Sequence, residues 1–258
     1  MSLFTKHDVK LFFIESCSNP SGQIFDFTIV PQLKALRSNC VICVDNTWAS
    51  GASFNPFNFG ADVVLESMAK YISGGTHIGG FCLGFNSDIM QKIIEWAIVF
   101  GQHVSPDTCQ HFCTQLDSIH TRLALSSTAV KTVIDTLTTI PNVKVEHPHV
   151  SGHPIYKTHF KYAPGVCWIH VPTLLNKTKI VKILKESTNY ETSYGGAHLR
   201  VDPWPEIGDD TMYGNIINSD TLVAPKRGVW VRIAVGYDDD DDDIAQKVKS
   251  LVKKLKNE

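Results

Sequence analysis

Three short apolar runs in the first third of the chain, residues 9–14, 41–44 and 62–65, limit its fold more than any other feature. Each is rich in β-branched or aromatic side chains and bounded by polar or turn residues, as buried strands of a parallel sheet are. Between the first two lie Phe27, Val30, Leu33 and Leu36 at helical spacing, which predicts a helix over 27–37. The order is strand, helix, strand, then a third strand. A parallel pair needs a crossover of that kind, so the opening reads as an α/β layer.

Further along, residues 79–85 fit one more strand, and 87–100 place Ile89, Ile93, Ile94 and Ala97 on one helical face. Residues 106–137 carry few glycines and read as a long helical region. After Pro141 short strands (143–146, 166–171, 229–235) alternate with helices (177–187, 244–255), which predicts a smaller α+β domain. The expected division is 1–125 for a partial large α/β domain and 126–258 for the small one. The acidic run 238–243 precedes the last helix, whose N-terminus favours negative charge, so it reads as a solvated helix start.

Bulk properties exclude several function classes. The formal net charge of −2 gives no electrostatic reason to expect nucleic acid or a membrane surface as partner. No apolar stretch approaches the length that crosses a bilayer. The start lacks the apolar core of a signal peptide. The seven cysteines are odd in number and scattered, which fits reduced thiols and a cytoplasmic setting. The segment holding His147, His149 and His153 is interrupted by Pro148 and Pro154 and reads as loop structure, and no metal site is expected.

Two stretches carry the chemistry: Val44-Asp45-Asn46-Thr47-Trp48 and Glu66-Ser67-Met68-Ala69-Lys70-Tyr71. Asp45 falls just past one expected strand and Lys70 a few residues past the next. Ligands of open α/β sheets gather at the carboxyl ends of strands, so an acid and an amine can be offered to one crevice. That pairing suits pyridoxal phosphate: a lysine condenses with its aldehyde, and an aspartate keeps its ring nitrogen protonated.

These stretches resemble the transsulfuration group of fold-type-I pyridoxal-phosphate enzymes, which includes cystathionine γ-synthase, the cystathionine lyases and methionine γ-lyase. Glu15-Ser16-Cys17-Ser18-Asn19-Pro20 is similar to that group's E-x-P-T-N-P. Val44-Asp45-Asn46-Thr47-Trp48-Ala49 is close to V-D-N-T-W/F-A, and Ser67-Met68-Ala69-Lys70-Tyr71 to S-x-T-K-Y. Ser193-Tyr194-Gly195-Gly196 resembles S-W/L-G-G, and Val231-Arg232-Ile233-Ala234-Val235-Gly236 resembles the R-L-x-I-G strand. Trp48, the 147–153 segment and the form of 193–196 look nearest to the cystathionine β-lyase branch.

The resemblance implies the fold of the aspartate-aminotransferase type, a mostly parallel sheet flanked by helices with a smaller C-terminal α+β domain. It also implies roles. Lys70 would be the Schiff-base lysine and the base that moves the Cα proton. Asp45 would pair with the pyridine nitrogen, Ser67 with the cofactor phosphate, and Arg232 with the substrate carboxylate through its planar fork. Asn19 and Ser193 would orient cofactor and substrate. The implied activity is a carbon–sulfur lyase that eliminates a thiol from cystathionine or a related cysteine S-conjugate. A γ-synthase or γ-lyase is the alternative within the class.

The chain departs from the group's pattern at Ala69, where a threonine is usual, at Gly74-Gly75-Thr76-His77 and at 113–118. It begins where relatives are well into their large domain. A non-catalytic paralogue serving as an interaction subunit is therefore the second expectation. The implied partners are a small amino-acid substrate and either further copies of the chain or a full-length homologue.

Overall fold

The computed structural model describes residues 2–203 and 228–257. A short helix, α1 (Ser2–Lys6), precedes three strands: β1 (Leu11–Glu15), β2 (Val41–Asp45) and β3 (Val63–Ser67). All three run parallel, with Leu11 opposite Val41, Glu15 opposite Asp45, and Asp45 opposite Leu65. β4 (Gly80–Gly84) closes the order β1-β2-β3-β4 antiparallel to β3, with Ser67 opposite Gly80.

The β1–β2 crossover forms where its apolar spacing directs. Asp26 accepts the Thr28 N–H and starts a 3₁₀ turn (Phe27–Ile29), which leads into α2 (Val30–Leu36) with Pro31 in its first turn. Proline fits there because the first helical N–H groups lack intrahelical partners. Phe27, Val30 and Leu33 bury against Ile42, Val44 and Phe54, each at most 1% exposed. Each such side chain contributes about 1.5–3 kcal/mol on burial. Phe12 and Ile14 of β1 line the same core. The alternate side chains Leu11 and Phe13 lie on the other face and stay more than half exposed.

α3 (Ser87–Val99) is capped by Asn86, which accepts from Asp88 and Ile89 N–H. None of its side chains is buried, and Trp96, Ile98, Val99 and the following Phe100 are exposed. The helical region expected over 106–137 is two helices, α4 (Pro106–Leu116) and α5 (Ile119–Thr138). The break has a local cause. Ser118 donates both its N–H and its hydroxyl to the Gln115 carbonyl, which diverts that carbonyl from the regular helical ladder.

The chain divides into two compact units. The first comprises Met1–Asn19, Gln23–Arg122 and Gly152–Tyr162, and contains the sheet above together with α7 (Pro154–His159). The second comprises Pro20–Gly22, Leu123–Ser151 and Ala163–Glu258. It contains β5 (Lys144–Glu146), α6 (Pro148–Ser151), β6 (Val166–Val171), α8 (Lys177–Ser187), β7 (Asn189–Tyr190), β8 (Arg200–Pro203), β9 (Val229–Ala234) and α9 (Asp241–Lys256).

Its sheet runs β5-β6-β9-β8-β7, with β7 and β8 parallel and the other pairs antiparallel. Every residue of β6 and β9 is buried. Ile180 and Leu184 of α8 and Ile244, Val248, Leu251 and Leu255 of α9 are buried too, with α8 and α9 packed together. Asp240 caps α9 by accepting the Asp243 N–H, and Asp241, Asp242 and Asp243 fill its first turn. The acidic run is thus a helix start, stabilised by the dipole and the cap.

Candidate active site

Asp45 is the last residue of β2 and Ser67 the last of β3, so both sit on the carboxyl edge of adjacent parallel strands. Thr47 joins them. Its N–H donates to Asp45 Oδ1 at 2.9 Å, and its hydroxyl accepts the Ser67 N–H at 2.8 Å. Lys70 follows β3 in a tight turn, its N–H directed to the Ser67 carbonyl and its own carbonyl accepting from Gly74 N–H. It is half-buried. Asn19 lies past the end of β1 in the same unit, with its N–H on Glu15 Oε2 at 3.4 Å.

Two side chains hold this edge in shape. Arg122, at the start of α5, is buried and donates to the carbonyls of Tyr71, Ile72 and Gln115 and to the Ser118 hydroxyl. It thereby fixes the turn that follows Lys70. Glu66 is 4% exposed and accepts the Gly51 N–H at 2.9 Å, with the Ser50 hydroxyl also bonded to it. Burial pushes its carboxyl up to about 7, against the opposing pull of those two donors. Ser50 itself has a φ of 64°, the left-handed region, so Glu66 anchors a strained turn beside the Asp45 loop.

The other two candidates belong to the second unit. Arg232 lies in β9 and is 2% exposed. Its Nε and Nη2 donate to the two oxygens of Asp202 on β8, both at 3.0 Å, and Nη2 also donates to Thr192 Oγ1 at 2.8 Å. Burial drives the Asp202 carboxyl up to about 6 even with Arg232 beside it. Ser193, next to Thr192, has a φ of 82°. The structure therefore groups Asp45, Ser67, Lys70 and Asn19 on one sheet edge in the first unit, and Arg232 and Ser193 together in the second.

Sequence reasoning overlooked Thr47, Glu66, Arg122 and Asp202. Thr47 and Glu66 were visible inside the two motifs but have no periodicity to mark them. A buried cation in an apolar strand did ask for a counterion, and Asp202 is that counterion.

The first-unit edge suits pyridoxal phosphate on the structure's own terms. Asp45 and Ser67 are half-buried, and among the described residues Asp45 Oδ2 and Ser67 Oγ take no hydrogen bond, while the Asp45 carbonyl accepts the Ser16 N–H and the Ser67 N–H donates to Thr47. Ser16 Oγ and Asn46 Oδ1, just past the tips of β1 and β2, are buried with no hydrogen-bond partner among the described residues. Uncommitted polar atoms at strand tips cost free energy unless something satisfies them. An acid for a ring nitrogen, a hydroxyl for a phosphate and an amine for an aldehyde are the donor set this cofactor needs.

Comparison with known proteins agrees. The profile of the Cys/Met metabolism PLP-dependent enzyme family matches residues 2–249. Cystathionine beta-lyase MetC of Escherichia coli (strain K12) is 27% identical over 247 residues, covering 92% of this chain and 60% of that protein. Cystathionine gamma-lyase of Mus musculus is 26% identical over 239 residues, covering 90% and 59%. The crystal structure of cystathionine gamma synthase from Xanthomonas oryzae pv. oryzae with aminoacrylate and cysteine superposes with a TM-score of 0.82 at 21% identity, covering 96% of this chain and 64% of that one. That likeness carries the fold. The chain thus spans about 60% of the length of these curated relatives. With the profile matching nearly its whole length, this chain belongs to the family of PLP-dependent enzymes of cysteine and methionine metabolism.

Proposed function

We propose that the chain acts as a pyridoxal-phosphate-dependent carbon–sulfur lyase that eliminates a thiol from cystathionine or a related cysteine S-conjugate. The observation that carries this reading is the Asp45–Thr47–Ser67 linkage, which holds an acid and a hydroxyl at the tips of neighbouring strands with Lys70 three residues on. When bound, the cofactor supplies an electron sink for the bond broken at the substrate Cα.

The residues do the rest. Lys70 Nζ would hold the cofactor covalently and would take the proton from the substrate Cα. Asp45 would face the ring nitrogen and favour its protonated form. Ser67 Oγ would donate to the phosphate. Arg232 receives the substrate carboxylate, and Asn19 and Ser193 orient the reacting groups.

Purified protein mixed with pyridoxal phosphate is expected to bind it stoichiometrically and develop the absorbance of a lysine-bound cofactor, and Lys70→Ala is expected to lose that band. A colourless wild-type protein, or a Lys70→Ala variant that keeps the band, overturns the reading. Release of pyruvate from cystathionine marks β-elimination, and release of 2-oxobutyrate marks the γ-branch.

The reading extends to assembly and location. A second copy of the chain covers the exposed apolar stripe of α3, where Trp96 and Phe100 stack at 4.8 Å. Light scattering on Trp96→Ser is expected to show a smaller species than wild type. An unchanged species, or one that forms only with a longer relative added, counts against self-assembly. Four of the seven cysteines are buried and all seven are free, which supports the cytoplasm as the site of action. Among the described residues no helix is long and apolar enough to cross a membrane.

A further inference from the structure

Arg232 and Asp202 face each other in register across β9 and β8. Their contact is a planar, two-point pair: Nε to Oδ1 and Nη2 to Oδ2, each at 3.0 Å. This is the geometry in which a guanidinium grips any carboxylate. Here the carboxylate comes from the chain itself. The pair is close to dry, with side chains 2% and 13% exposed, and Thr192 completes the hydrogen bonding of Nη2.

We infer that Asp202 is an internal competitor for the carboxylate site of Arg232, so that a ligand carboxylate reaches this edge of the guanidinium only by displacing it. Strand pairing holds Asp202 beside Arg232 permanently, and a tethered group competes at a high effective concentration. An incoming anion also meets the Asp202 charge in a medium that screens poorly. Asp202 is therefore a specificity-determining residue, one that weakens the hold on any ligand through its carboxylate. That the disfavoured ligand is an amino acid rests on the lyase reading. That this edge of Arg232 is filled rests on the geometry alone.

Titration of the full chain with sodium acetate, against sodium chloride at equal ionic strength, tests the inference through the thermal unfolding midpoint. Wild type is expected to show no saturable response. Asp202→Ala is expected to gain a saturable rise, with half-saturation at a roughly tenfold or greater lower acetate concentration than any wild-type effect. Asp202→Ala combined with Arg232→Gln is expected to lose it. Should Asp202→Ala fail to fold, Asp202→Asn keeps one acceptor oxygen without the charge and is expected to respond in the same direction. An equal wild-type response, a response that survives loss of Arg232, or no response in the variant that folds overturns the inference.

The cofactor band recorded on the same samples separates the two readings. A band without an acetate gain defeats the competitor role and leaves the lyase standing. An acetate gain without a band does the reverse.

Discussion

The hydroxyl of Thr47 accepts the backbone N–H of Ser67 at 2.8 Å, so the loop after β2 and the last residue of β3 are positioned by one side chain. Replacing Thr47 with valine keeps the shape and removes the acceptor. Thr47→Val is expected to cost about 1–2 kcal/mol in denaturant unfolding, because a partly buried N–H is left unmade. Thr47→Ser is expected to stay near wild type. Equal stability of the valine and serine variants would show that the bond contributes nothing.

Glu66 gives the fold a pH dependence of unusual sign. Its carboxyl titrates near 7 when folded and near 4.5 when exposed, so between those values the native state holds a proton that the unfolded chain has released. Stability from this group is therefore fullest below about pH 4.5 and declines as pH rises to about 7. Glu66→Gln is expected to be flatter than wild type over that window, by on the order of 3 kcal/mol. Parallel pH profiles of the two proteins would rule this out.

Arg122 satisfies three main-chain carbonyls at once. Lysine has no planar fork to do so. Both Arg122→Lys and Arg122→Met are expected to lose roughly 2–4 kcal/mol, as loss of a buried charged network does. Hydrogen exchange at Ser73, Gly74 and His77 is expected to quicken ahead of exchange in β2. Unchanged protection of those amides would disconnect Arg122 from the turn after Lys70.

Gly236 has no room for a side chain. A Cβ there would overlap the Ala197 carbonyl and crowd the His198 nitrogen. Those atoms are backbone and cannot swing aside, so Gly236→Ala is expected to destabilise by more than about 3 kcal/mol. A thermal midpoint within a degree or two of wild type would contradict this.

The fold class was legible because buried parallel strands need β-branched runs that little else explains, and residues 41–44 and 62–65 are such runs. The α2 crossover followed from Phe27, Val30 and Leu33 at helical spacing. The direction of β4 was not legible, since Phe81 and Leu83 pair equally well in either sense. The α4–α5 break was hidden because it depends on one carbonyl, that of Gln115, being drawn off the helical ladder by Ser118 and by Arg122. β8 escaped notice because Arg200–Pro203 is short, half polar and ends in proline. With it went Asp202, whose partner is 30 residues away in sequence. Motif resemblance marked Asp45, Ser67 and Lys70, but the supports around them, Thr47, Glu66 and Arg122, act through backbone groups that no side-chain pattern reports.

The reversal of direction between β3 and β4 carries a consequence for how the chain assembles itself. Ser67 finds Gly80 across the loop 68–79, whereas Leu11 must find Val41 across a longer connection with an intervening helix. Closing the shorter loop loses less chain entropy and contributes local contacts, the kind that form fast. The arm bearing Lys70 is thus expected to take shape early in folding, and Asp45 to join it only when the slower crossover has wound into place.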